Sequence, residues 1–309
     1  MPPVRVFHGT ARCRWCKGLF VQIFGFQWVC ARVACAARQV AHAIHASASS
    51  AFPSPFLYLP LPLQVDIEES PVKRLLVFGA AGFGKSFAGR WSLYARCRRI
   101  PGYCALLVRC TYDQLEKNHL RYMEAEAKWL GDAKYEKGTV KRMAFNNGSD
   151  VRFGYCADKS DIPQYRGAEY DDVLLDEAVQ IIPEGIEFIT SRDRGSATSR
   201  PARALLGITG RSRLLTNPGG PAAMYLEDFY IAHTPDPRDY PHYNPQYYSS
   251  ISGDLRDNPY LDEDYESASL GGLEENRWQQ FARGRWDVFP GQFFETFDPV
   301  LHVQRLEAE

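Results

Sequence analysis

The sequence of 309 residues predicts an α/β layered fold, and three observations carry that expectation. From Val72 onward, short apolar runs alternate with polar segments of helical length. The runs lack interspersed polar positions, as expected of strands buried on both faces of a parallel sheet. A glycine-rich turn also stands between the first run and the first helix-length segment, which is the layout of a β-strand feeding an α-helix.

Taken in order, the apolar runs are Leu75-Leu76-Val77-Phe78, Ala105-Leu106-Leu107-Val108, Val173-Leu174-Leu175 and Leu214-Leu215-Thr216. Residues 86–98 and 111–130 have helical length and composition. Met143-Ala144-Phe145 and Val151-Arg152-Phe153 flank Asn146-Asn147-Gly148-Ser149, which predicts an antiparallel hairpin about an Asn-Gly turn. After Asn258 the pattern becomes helical, with Gly271-Gly272 breaking one helix and Gly284 ending the next.

Residues 1–65 differ: they contain no acid before Asp66, they hold Arg5, Arg12, Arg14, Lys17, Arg32 and Arg38, and Pro53, Pro55, Pro60 and Pro62 punctuate their end. Such a leader reads as a disordered tail, a targeting peptide, or upstream DNA translated from a mis-assigned start. Cys13, Cys16, Cys30 and Cys35 give a faint zinc-like spacing in apolar surroundings. The expected division is 1–62 as an N-terminal extension, 63–257 as the core, 258–290 as a helical lid, and 291–309 as the start of a linker.

The net charge of −1 does not mark the whole chain as a nucleic-acid binder, so any DNA contact must come from a local patch. Eight scattered cysteines in a chain of this length suit reduced thiols better than a disulfide scaffold. No apolar run reaches the roughly 20 residues that span a bilayer.

Gly79-Ala80-Ala81-Gly82-Phe83-Gly84-Lys85-Ser86 fits the G-x-x-x-x-G-K-[ST] pattern between an apolar strand and a helical segment. Gly79, Gly82 and Gly84 can adopt backbone angles closed to other residues, so successive N–H groups can converge on phosphate oxygens. Lys85 would reach the β- and γ-phosphates and Ser86 would hold Mg²⁺, with Phe87 next along. The second motif is Asp172-Val173-Leu174-Leu175-Asp176-Glu177-Ala178, an apolar strand ending in two carboxylates. It would deliver Asp176 to the metal at the sheet's carboxyl edge, and Glu177 to the attacking water. A strand, Ala105-Leu106-Leu107-Val108, lies between the two motifs in sequence and Glu177 stands beside Asp176, which together favour a hydrolysing motor over a small kinase. Thr216-Asn217-Pro218-Gly219-Gly220 offers a γ-phosphate sensor at the same edge, or a plain turn.

These motifs, with Ile100-Pro101-Gly102-Tyr103, Phe145-Asn146-Asn147-Gly148-Ser149, Tyr165-Arg166-Gly167, Asp257-Asn258-Pro259-Tyr260 and Gly284-Arg285-Trp286, together resemble the ATPase domain of phage terminase large subunits. The resemblance implies a RecA-like additional-strand P-loop ATPase with a mostly parallel sheet flanked by helices and a small C-terminal helical lid. It implies ATP and Mg²⁺ as cofactors, and double-stranded DNA, a portal protein and a small terminase subunit as partners. A homo-oligomeric ring in the bacterial host cytoplasm, translocating DNA into a prohead, follows from the same likeness.

Residue by residue, Lys85 and Ser86 look like the phosphate and metal ligands, and Asp176 and Glu177 like the metal and catalytic carboxylates. Thr216-Asn217 looks like the coupling motif, Gln64 like the adenine-reading glutamine, and Arg166 like an arginine finger. Many relatives carry an Arg within the loop where this chain has Ala80-Ala81, which places more weight on Arg166. The nuclease of full-length relatives is not expected here, because only residues 291–309 follow Pro290. Arg192, Arg194, Arg200, Arg203, Arg211 and Arg213 are the candidate DNA contacts, alternatively a solvated loop. Two other readings stay open: a different P-loop ATPase such as a helicase, and a nucleotide-binding assembly subunit without turnover.

Overall fold

The structure, a computed structural model, describes residues 5–6, 20–23, 27–30, 60–138, 141–262 and 264–286. The cysteine spacing proposed for zinc and residues 291–309 lie outside the described residues, apart from the backbone of Cys30. Three short strands, β1 (Arg5–Val6), β2 (Phe20–Ile23) and β3 (Gln27–Cys30), pair antiparallel within the N-terminal extension.

The core is an eight-stranded sheet. Its strands are β4 (Arg74–Gly79), β5 (Cys104–Arg109), β6 (Ala133–Glu136), β7 (Arg142–Phe145), β8 (Asp150–Tyr155), β9 (Asp172–Asp176), β10 (Arg211–Leu215) and β11 (Tyr248–Gly253). They stand in the order β11-β4-β10-β9-β5-β8-β7-β6. The first six in that order run parallel, and β7 and β6 are antiparallel additions at one edge. Every residue of β5, β9 and β10 is buried, and the apolar runs of the sequence lie within them, although β10 opens on the polar Arg211-Ser212-Arg213. The hairpin lies where the Asn-Gly turn places it: Met143 pairs with Val151, and Gly148 takes a φ of 83°.

β5 lies between the two motifs in sequence, but in space it pairs with the far side of β9, and the strand inserted between β4 and β9 is β10. Two further strands carry weak sequence signals. β11 reads Tyr-Ser-Ser-Ile-Ser-Gly and β6 reads Ala-Lys-Tyr-Glu, so neither shows an apolar run.

Helices cover the sheet. α1 (Pro62–Glu69) starts with proline in its first turn, and α2 (Lys85–Arg99) follows the glycine-rich turn. α3 (Tyr112–Leu115), a π-helical turn Glu116–Leu120 and α4 (Arg121–Leu130) together fill the predicted helix 111–130. α5 (Pro183–Thr190), α6 (Arg200–Leu206), α7 (Ala223–Leu226) and α8 (Glu275–Arg283) complete the set. Gly284 ends α8 at a φ of 64°. None of the described helices is long and apolar enough to cross a membrane.

The amino edge of the sheet is tied by buried charge. Arg211 donates from Nε to Asp172 Oδ2 at 2.9 Å and from Nη2 to Glu68 Oε2 at 2.8 Å, which pins α1 to β9 and β10. Arg213 gives its guanidinium to the carbonyls of Ser70, Val72 and Ser212. Both arginines are almost fully buried, at 4% and 2% exposure, so they are withdrawn from the candidate DNA contacts: a buried guanidinium committed to the protein cannot meet a phosphate backbone. Removing Arg211 would strand Asp172 as an unpaired buried charge. Arg211→Ala is therefore expected to lower the unfolding free energy by about 3–5 kcal/mol in urea denaturation. A loss below about 1 kcal/mol would show that this network carries little of the fold.

Candidate active site

β4 ends at the glycine-rich turn, and the turn takes the shape its glycines allow. Gly79, Gly82 and Gly84 adopt φ values of 133°, 98° and 95°. A Cβ on Gly79 would collide with the backbone of Gly253, where β11 runs alongside. Ala80 N–H donates to Gly253 O at 3.0 Å and Ala81 N–H to Phe281 O at 2.6 Å. The next five backbone N–H groups, residues 82–86, meet no acceptor among the described residues. Consecutive open N–H groups at the start of a 15-residue helix form a nest for an anion, reinforced by the helix dipole. Lys85 curls into this turn, donating to Ala80 O at 2.8 Å and Gly79 O at 3.3 Å above the Phe83 ring. Burial pushes its ammonium down to about 8, against the opposing pull of Glu177 and Asp176.

β9 brings Asp176 to the same place. Leu215 of β10 pairs with both Val77 and Asp176, so the ends of β4 and β9 stand level across the inserted strand. Ser86 Oγ donates to Asp176 Oδ1 at 2.8 Å. Asp176 Oδ2 accepts from Arg109 Nη1 at 2.5 Å and from His119 Nε2 at 2.8 Å. Burial alone would raise the Asp176 pKa, but the His119 hydrogen bond, the Arg109 charge and the Ser86 hydroxyl hold it well below the usual carboxylate range. A hydroxyl and an ionised carboxylate side by side are the oxygen donors a hard divalent cation takes when nucleotide phosphates and water complete its shell.

Glu177 is one of two non-glycine residues at positive φ among the described residues, at 53°. The strain turns the chain sharply after β9 and leaves the carboxylate half-buried beside Asp176. Burial and the Asp176 charge raise its pKa, with Lys85 and Arg109 opposing. The Thr216-Asn217 pair joins the two motifs. Thr216 Oγ1 accepts from Val179 N–H at 3.3 Å, just beyond Glu177, and Asn217 Nδ2 donates to Gly79 O at 2.9 Å.

The segment after β11 closes over the turn. Asn258 Nδ2 donates to Gly82 O at 2.7 Å, Tyr265 and Leu261 flank Gly82, and Trp286 meets Phe78 edge-on at 5.3 Å. A Cβ on Gly284 would lie 2.5 Å from Gly79 Cα, and one on Gly219 would lie 2.7 Å from Gln280 of α8. This segment therefore touches both the turn and the Thr-Asn-Pro-Gly-Gly segment.

The remaining candidates are spread more widely. Gln64 is buried against the turn, its Nε2 3.0 Å from where a Gly84 Cβ would stand. Phe87 is exposed on α2 beside Trp91. Arg166 is exposed after the 3-10 turn Lys159–Tyr165, and its side chain has no ion pair among the described residues. Arg192 lies on the Phe188 ring, Arg194 is exposed beside Glu169, Arg200 is exposed, and Arg203 pairs with buried Asp171 at 2.7 Å. Arg109 and His119 are the site residues that sequence reasoning missed. Arg109 could have been found as a cation closing an apolar strand, but nothing in the local pattern marks His119.

Among solved structures, the large terminase of a thermophilic bacteriophage matches at 14% identity and a TM-score of 0.59. The match covers 80% of this chain and 59% of that chain. The same terminase in complex with ADP gives 14% identity and a TM-score of 0.59 over 80% and 60% of the two chains. In complex with ATP-gamma-S it gives 12% and 0.55 over 74% and 53%. No protein-family model and no curated protein matches the sequence. This chain spans about 59% of the length of that terminase. At such identities the likeness is one of architecture: the chain has the large-terminase fold.

Proposed function

We propose that the chain is the ATP-hydrolysing part of a DNA-packaging motor that translocates double-stranded viral DNA into a prohead. One observation carries the reading: the open N–H nest of residues 82–86, Lys85 and the Ser86–Asp176 pair converge on one spot, with Glu177 beside it. The turn binds the triphosphate, and Lys85 leaves the Gly79 and Ala80 carbonyls for the β- and γ-phosphates. Ser86 and Asp176 would hold a magnesium ion, which would supply charge neutralisation for the phosphates. Glu177, with its raised pKa, orients and polarises the water that attacks the γ-phosphorus. Phosphoryl transfer needs little covalent help, so positioning and charge neutralisation supply most of the rate.

Gln64 reads the adenine from α1, and Phe87 borders the bound nucleotide. Thr216 and Asn217 link the Glu177 turn, the phosphate turn and the lid, so loss of the γ-phosphate is felt in all three. Arg166, exposed and without an ion partner among the described residues, acts on the nucleotide of a neighbouring subunit in a ring. Arg192 and Arg194 remain as DNA contacts, and a portal protein and a small terminase subunit are the expected partners in the host cytoplasm. Nuclease activity is not assigned to this chain.

The wild-type protein is expected to hydrolyse ATP with Mg²⁺, faster with double-stranded DNA. Lys85→Ala and Glu177→Gln should each cut turnover by at least about 100-fold, with Glu177→Gln still binding nucleotide. Nucleotide binding without turnover, even with DNA and portal present, would favour an assembly subunit. Strand-unwinding activity with no portal binding would favour a helicase. For Arg166, mixing Arg166→Ala subunits with Glu177→Gln subunits should recover part of the activity, because the finger of a Glu177→Gln subunit can then face the intact active site of an Arg166→Ala neighbour. Mixtures no more active than either parent would remove Arg166 from that role.

A further inference from the structure

Asp176 is held from behind by a buried polar chain that the hydrolysis scheme does not use. His119 is fully buried, in the π-helical turn Glu116–Leu120 between α3 and α4, and its Nε2 lies 2.8 Å from Asp176 Oδ2. On the other side of the ring, Nδ1 stands 3.3 Å from Arg90 Nη1. A guanidinium can only donate, so Nδ1 must accept, and the ring proton sits on Nε2 facing the carboxylate. Arg90 is fixed in turn: Nε and Nη2 grip Glu126 at 2.8 Å and 2.6 Å, and Tyr94 Oη donates to Glu126 Oε2 at 2.7 Å. The rings of Phe87 and Tyr122 lie near the guanidinium, at 5.7 Å and 5.4 Å.

Packing alone does not account for this chain. Arg90, His119, Glu126 and Asp176 are all under 5% exposed, and apolar residues of like volume would fill the same space without the desolvation cost. The π-turn is local to the histidine, and such single widened turns gather at functional positions. Arg109 adds a second donor to the same oxygen, Oδ2, which leaves Oδ1 directed to Ser86.

We propose that His119 is a positioning residue for Asp176, its tautomer set by Arg90 and Glu126, so that Oδ1 is presented beside Ser86 for a divalent cation. This rests on the ATPase reading for the identity of the ligand, but not for the tautomer. A partner that orients a metal-binding carboxylate is worth about 10-fold to 100-fold in metal affinity. The effect therefore falls on the metal-dependent part of nucleotide binding and spares the part supplied by the N–H nest.

Two measurements on the full chain test it. In protein labelled with ¹⁵N-histidine, long-range ¹H–¹⁵N spectra give the tautomer of each ring, with His119 identified by its loss in His119→Gln. The expected result is a ring protonated at Nε2 alone, without nucleotide or metal; a His119 ring protonated at Nδ1 overturns the proposal. Next, ATP-gamma-S affinity is compared in Mg²⁺ and in EDTA for wild type, His119→Phe and His119→Gln. His119→Phe should lose about 10-fold in Mg²⁺ and little in EDTA, and His119→Gln, which keeps an N–H donor, should recover most of that loss. Equal losses in both buffers, or none in either, overturn the proposal. A wild type that binds no analogue in either buffer fails the ATPase reading instead, and the tautomer then decides the role of His119. The tautomer also decides it if His119→Phe does not fold, since that measurement is made on the wild-type ring.

Discussion

The short contact between Ser86 and Asp176 sets the terms for the rest of the molecule. It requires two strands that are not neighbours to end at the same height, and β10 makes this possible by pairing in register with both. A one-residue slip on either side of β10 would turn every side chain of a strand to the opposite face and take Asp176 away from the turn. The buried apolar faces of β4, β9 and β10 forbid that slip, because it would exchange core leucines between the two layers of helices. Packing energy distributed over the sheet is thus converted into the placement of two oxygen atoms.

Charge is buried at both edges of the sheet, and the two edges use it differently. At the amino edge Arg211, Asp172, Glu68 and Ser92 close on one another, and Asp171 gathers Ser196, Ser199 and Arg203. These groups are spent mainly on one another in the interior, with Asp172 Oδ1 the one oxygen of the set that has no hydrogen-bond partner among the described residues. At the carboxyl edge the side-chain bonds converge on Asp176, while the five N–H groups of residues 82–86 meet no acceptor among the described residues. That difference separates a structural network from a site more reliably than the number of buried ions does. Arg211 and Arg213 illustrate the point. Along the sequence they extend an arginine-rich stretch that suits DNA, whereas in the fold they are interior girders.

The sequence was most legible where one local rule decides the outcome. The glycine turn needs positive φ at three positions, the central strands need apolar side chains on both faces, and the hairpin needs Gly148. Each rule leaves its trace within a few residues. The legibility ended where partners come from afar. β11 has no apolar run because it lies at the sheet edge, and among the described strands it pairs with β4 alone. The insertion of β10 between the two motifs is a fact of strand order, which sequence spacing does not encode. His119 was invisible for a related reason. A lone histidine in a polar helical stretch gains its meaning from Arg90, Glu126 and Asp176, which arrive from three other elements.

The glycine turn is held between two covers, and this division explains how it can be rigid and receptive at once. Its first half is committed: the Ala80 and Ala81 N–H groups go to β11 and to the end of α8, and Gly79 O accepts from Asn217. Its second half, residues 82–86, has N–H groups that meet no acceptor among the described residues, although Asn258 holds the Gly82 carbonyl. An anion entering this half therefore meets donors already oriented by bonds on the other half, and little further ordering is needed. The same bonds make α8 and the Asn217 turn direct neighbours of the loop. A shift of the loop by even a fraction of an ångström cannot be absorbed locally, because Gly284 already rests on Gly79 and Gln280 on Gly219. Close packing between small residues is what gives α8 and the residues after it their purchase on the turn.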